Sequence, residues 1–395
     1  MSSARTLRTI AALAIAACAA AAFSGPAAAN EPGTGRSADV KIASPAAGLR
    51  SAPSGRTKGG SATKTTSGSL STAASESFTT QATVQATVPG SAFPEGSFVA
   101  YNGRVFRIVG GATLYVSSWT WFGGAKPVTT ITTQQYLNTY QFPWDGTFVK
   151  DARDGRVYRF VAGAPIYVAT WAAFGGKVQP SITIDPNDLV NAGKPFPWDG
   201  VAPFTLDYDG DGTPPVFVRG GQTGRVYKMT GGAPMYLPSW APYGGVQPAI
   251  TVDQYAIDNS GATTGAYRFL QFYPLDGWPI RSPQTGEVYI VAGGAPIYVS
   301  NPAVLTDPPA ALDGRYIGWA GTAPYNHLRW TPLDNTFIRG VSTGRIYQVT
   351  GGVPTYVSSW DTIPGGRQPT TNVDDLAIQN AGGPGHWSHL LAPTP

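Results

Sequence analysis

The segment Asp207-Tyr208-Asp209-Gly210-Asp211-Gly212 sets carboxylates at alternate positions and a glycine at the sixth, the pattern that opens a calcium-binding loop. Alternate side chains can converge on one ion, and the glycine permits the sharp turn. The twelfth position is Val218, so the bidentate glutamate of an EF-hand is missing. Two readings of Asp207, Asp209 and Asp211 follow: a calcium site that stiffens its loop, or a solvated acidic turn.

The other reactive residue types are sparse. His386 and His389 stand three apart, a spacing that metal ligands use. However, Asn326-His327-Leu328 and Ser388-His389-Leu390 are matching contexts, which favours packing or hydrogen bonding over a site that needs three or four ligands. Neither a Gly-x-Ser-x-Gly elbow nor a His-Glu-x-x-His helix is present. A glycosidase needs two carboxylates, yet the glutamates are Glu31, Glu76, Glu95 and Glu287 alone. An aspartate pair would have to serve, and Asp145, Asp199, Asp276 and Asp334 all sit at turns. The aromatic residues offer a different chemistry, because exposed rings stack on sugars and repeated rings bind multivalently. Trp119, Trp171, Trp240 and Trp360 are the candidates, each at a strand end beside a glycine-rich loop.

These tryptophans belong to a repeat. The phrase Gly-Arg-Val-Tyr, Gly-Gly-Ala-Pro, Tyr-Val, Trp recurs five times, centred on Phe106, Tyr158, Tyr227, Tyr289 and Tyr347. A tyrosine follows each centre at constant spacing (Tyr115, Tyr167, Tyr236, Tyr298, Tyr356), and the tryptophan follows in every copy except the fourth. Polar residues after the centre (Arg107, Arg159, Lys228, Gln348) alternate with apolar ones (Ile108, Phe160, Met229, Val349), which marks a strand with one buried face. Gly pairs such as Gly293-Gly294 supply the positive φ of a hairpin. Asp185-Pro186 reads as the start of a short helix, as do Asp253 and Asp374 in other copies. Each unit is then three to four strands plus a short helix, and the fold class is an all-β dominated repeat protein. One unit cannot bury its own apolar face, so five must stack. A five-bladed β-propeller, in which closure removes sheet edges, and an open linear array both satisfy this.

The bulk composition agrees. Glycine (49) and proline (35) are abundant, while charged residues are 13%, about half the usual share, as suits turn-rich β structure. The net charge of +4 includes no basic run in the aromatic region, which argues against nucleic acid. Arg5 and Arg8, an apolar run from Ile10 to Phe23 and Ala27-Ala28-Ala29 form a secretory signal over 1–29. Ile15-Ala16-Ala17-Cys18 offers an alternative exit as a lipoprotein anchored through Cys18. Residues 30–91 are a Ser/Thr/Ala/Gly-rich linker with too few large apolar residues to order. Five repeats occupy 92–395, at about 96–144, 145–198, 199–275, 276–333 and 334–395. No later segment reaches the length of a membrane span.

Asp145-Gly146-Thr147-Phe148-Val149, Gly224-Arg225-Val226-Tyr227 and Gly293-Gly294-Ala295-Pro296-Ile297-Tyr298-Val299 together resemble a tandem repeat of secreted proteins from high-GC Gram-positive bacteria. The resemblance covers about three quarters of the chain and implies an extracellular setting, with no activity attached. The expected function is a secreted, non-catalytic repeat domain that binds a polymer or partner at the cell envelope, with cell-wall glycan foremost. The alternatives are a structural spacer, or a hydrolase built on aspartates.

Overall fold

The computed structural model describes residues 93–206 and 215–393. The signal segment, Cys18 and the linker lie outside the described residues. Five four-stranded sheets follow one another along the chain, each with its strands in the spatial order third, second, first, fourth. In the second repeat Phe148–Asp151 pairs antiparallel with Val157–Val161, which pairs antiparallel with Ala164–Val168; Ile182–Ile184 then returns parallel to the first strand. The fourth strand is two or three residues long in every repeat. It extends the three-strand unit that alternation alone reveals.

The residues expected on the buried face are buried, but the alternating position is not exposed throughout: Lys228 and its counterpart Ile290 are buried as well. Tyr158 and Phe160, Tyr227 and Met229, and Tyr289 and Val291 are all buried. The intervening arginines cross to the other face. Arg107 lies over Phe98 and Phe122, Arg159 lies over Phe148 and Phe174, and each guanidinium donates to a carbonyl of the next repeat, on Thr183 and Thr251 respectively. The hairpin glycines take positive φ, as at Gly293 and Gly294 (54° and 77°). Their amides are held by the turn acids: Glu95 accepts from Gly110 and Gly111, Asp276 from Gly293 and Asp334 from Gly351. The recurrent turn carboxylates are therefore structural.

Neighbouring repeats share a core. The hairpin of one repeat packs into the sheet of the next, so that Ala292, Ala295 and Ile297 cluster with Ile338, Val349, Val373 and Ala377. Emptying such a position, as in Ile297→Ala, costs about 2–5 kcal/mol. Among the described residues the two ends of the row are uncovered. Leu114, Ile166, Met235 and Ile297 are buried at equivalent places in the third strands of the first four repeats, whereas the fifth has Thr355, exposed. Tyr356 beside it is 56% exposed. At the other end, all three residues of the first repeat's fourth strand, Val128–Thr130, are exposed. A closed propeller would bury both faces, so this pattern fits the open array. A polar residue in place of a core residue is how a repeat array is capped. Among the described residues, no helix is long and apolar enough to cross a membrane.

Candidate binding cleft

Each repeat carries a short helix after its fourth strand; Thr132 caps it in the first repeat, and an aspartate does so in the second, third and fifth. Asp185 caps its helix by accepting the Asn187 amide at 3.0 Å, and its second oxygen accepts the amide and hydroxyl of Ser117 in the preceding repeat, both at 2.7 Å. Asp253 does the same with Tyr255 and Thr170, and Asp374 with Leu376 and Ser300. The carboxylate thus joins helix start to neighbouring sheet. Each of these helices ends on an asparagine, Asn191, Asn259 or Asn380, whose amide bonds the carbonyl four residues back.

The fourth repeat departs from this plan at three positions. The N-cap of its helix is Gly314; Asp313, just before it, accepts the Arg315 amide, and its carboxylate is clamped by the Arg315 guanidinium at 3.0 and 2.8 Å. Its helix Arg315–Gly318 ends on Trp319 instead of asparagine. The strand position that holds Arg104, Arg156, Arg225 and Arg345 in the other copies holds Glu287. All three positions open onto one cleft of about 980 Å³ between the fourth and fifth repeats. Trp330, His386 and His389 complete its wall.

Two indoles in this cleft face solvent: Trp319 is 60% exposed and Trp330 42%. Glu287 is the fixed polar point. One of its oxygens meets His386 Nδ1 at 3.0 Å, and the other accepts the hydroxyls of Tyr289 and Thr285, both at 3.0 Å. Burial pushes the Glu287 carboxyl up, but the hydrogen bonds from Thr285, Tyr289 and His386 together outweigh it and hold the group below its usual range. The His386 ring is itself held, stacked on Tyr298 at 3.9 Å with Trp387 edge-on at 4.6 Å.

The remaining histidines are structural. His327 Nδ1 bonds the Phe272 carbonyl at 2.6 Å, and His389 Nδ1 bonds the Trp330 carbonyl at 2.8 Å. Both are buried, which pushes both below their usual pKa and favours the neutral ring. The matched sequence contexts thus mark one repeat position, and His389 props the backbone beneath Trp330. Among the described residues no group of three or more His, Cys, Asp or Glu side chains could hold a metal ion. Asp207, Asp209 and Asp211 lie outside the described residues.

The repeated tryptophans are placed elsewhere. Trp119, Trp171, Trp240 and Trp360 are half-buried, each against the aromatic residue that opens its own sheet (Phe98, Phe148, Phe217 and Phe337), with centroids 4.9–5.7 Å apart. They do not line the cleft. Trp319, Trp330 and Glu287 were not singled out as ligand-binding residues by motif. Their signal is a break in the repeat: an acid where four copies have arginine, and an indole where the other helices end on asparagine.

Scans of this chain against protein-family models, curated proteins and solved structures found no match.

Proposed function

We propose that this chain is a secreted, non-catalytic repeat protein that binds a glycan of the cell envelope in the cleft between its fourth and fifth repeats. The observation that carries this reading is the pair of exposed indoles, Trp319 and Trp330, in the one cleft where the repeat plan is broken. An indole offers an apolar face to the C–H face of a sugar, and an oriented carboxylate accepts from its hydroxyls. Four repeats serve as a rigid frame and the fifth closes the wall.

Binding fits the carboxylates better than hydrolysis does. A glycosidase needs one acid that keeps its proton and a second free to act as base or nucleophile. Glu287 is held on the ionised side, and Asp313 is occupied by Arg315. A spacer role leaves the two exposed indoles without a purpose.

Sedimentation of the secreted chain with isolated bacterial cell wall tests this. Saturable pull-down, lost in a Trp319→Ala, Trp330→Ala double variant that melts like the parent, is the expected result. Equal pull-down of parent and variant would sink the assignment of the cleft. Absence of pull-down would sink the envelope-glycan reading.

A further inference from the structure

We infer that the cleft selects a cationic saccharide, a sugar bearing an ammonium group, which Glu287 pairs while Trp319 and Trp330 flank it. This rests on the glycan reading above and narrows it to a charge class.

The argument begins with what the fourth repeat replaces. Its sister copies place arginine at the position of Glu287, and two of those arginines lie over aromatic rings: Arg104 over Phe196 at 5.0 Å and Arg225 over Tyr236 at 6.0 Å. Here a carboxylate stands in the place of the cation, His386 stacks on Tyr298, the counterpart of Tyr236, and the exposed aromatic faces in the cleft are those of Trp319 and Trp330. Aromatic faces with an acid beside them suit an external cation, through the ring quadrupole and the direct charge.

The charge balance points the same way. The charged side chains facing the cleft are Glu287, Asp313 and Arg315, with His386 and His389 as the titratable rings. Asp313 and Arg315 neutralise each other through two contacts. His389 is buried and bonded to a carbonyl, with its pKa lowered. That leaves Glu287 as the uncompensated charge whenever His386 is neutral. Its tether does not consume it, because a carboxylate accepts about four hydrogen bonds and three are used. The +4 of the chain comes from its first 92 residues; residues 93–395 carry 19 Lys and Arg against 20 Asp and Glu, so the repeat array does not repel a cation at large and recognition rests on the local charge of Glu287.

The test compares two hexasaccharides on the secreted chain at pH above the histidine range. One is N-acetylglucosamine hexamer, which is neutral. The other is a glucosamine hexamer with trimethylated nitrogens, whose charge is fixed at any pH. Calorimetry should give a Kd at least about tenfold lower for the charged hexamer, the equivalent of about 1.4 kcal/mol. Glu287→Gln keeps an acceptor oxygen and the shape; it should bring the ratio of the two hexamers' Kd values to about one. Equal affinities in the parent, or a preference that survives Glu287→Gln, would overturn the inference and leave the glycan reading intact. Failure of both hexamers to bind would overturn both together.

Discussion

Glu287 and His386 stand ninety-nine residues apart in the chain and 3.0 Å apart in the fold, and their contact ties the end of the fifth repeat to the residue that leads into the second strand of the fourth, Val288–Ala292. The hydrogen bonds to Glu287 favour its ionised form. Because the folded pKa of Glu287 lies below its unfolded value, its contribution is present above the unfolded pKa and lost as the pH falls through the folded one. Acidification below about 4.5 should therefore lower the melting temperature. Glu287→Gln should flatten this part of the profile, and differential scanning calorimetry across pH 3–6 measures both. An unchanged slope in the variant would mean that the pair is not coupled to folding.

Asp188 gives the opposite sign. It is buried, one oxygen accepts the Tyr115 amide at 3.1 Å, and the other has no hydrogen-bond partner. Burial, and then the charge of Asp185, push its pKa well above the usual range. The native state holds a proton that the unfolded chain releases. Its stabilisation is full below the unfolded pKa of about 3.9 and is lost as pH rises through the folded value. Asp188→Asn cannot ionise, so it should be at least as stable as the parent at pH 8 and show a shallower decline as the pH rises above the unfolded pKa of about 3.9. Urea titrations at several pH values separate the two, and a parallel decline would show that Asp188 is not the responsible group.

Most of the frame could be read from residue types. The polar–apolar alternation after Phe106 and its counterparts, the Gly pairs and the capping Asp185, Asp253 and Asp374 each specify a local geometry that the fold then uses. The fourth strands could not be read, because two or three residues carry no period. The cleft was obscured for a different reason: a repeat search rewards sameness, and Glu287 and Trp319 are informative because they differ from their counterparts. The recurrent tryptophans drew attention by recurring, yet recurrence is what packing within each repeat produces.

Thr355 was equally legible as a difference. Its four counterparts are Leu114, Ile166, Met235 and Ile297, each covered by a following repeat. Thr355→Ile should extend the apolar area around Tyr356 on the uncovered end and promote self-association, seen as concentration-dependent sedimentation. Little loss of melting temperature should accompany it, because nothing packs above this position. Strong stabilisation without association would instead mean that this face is covered within the same chain.

Gly293 and Gly351 provide the sharpest comparison between a covered and an uncovered repeat. They occupy the same hairpin position with nearly the same φ, 54° and 56°. A Cβ on Gly293 would lie 2.2 Å from Thr336 Oγ1 and 2.8 Å from the Leu333 amide nitrogen, atoms of the segment leading into the fifth repeat; a Cβ on Gly351 would meet nothing within 4 Å. Both alanine variants bear the left-handed backbone cost of about 1–2 kcal/mol, but only Gly293→Ala must also displace its neighbours. Gly293→Ala should thus lose at least about 3 kcal/mol in total and Gly351→Ala only the backbone share. Chemical denaturation of the two variants reads the difference directly. Equal losses would mean that the fifth hairpin is covered as the fourth is, and would return the closed ring to favour over the open row.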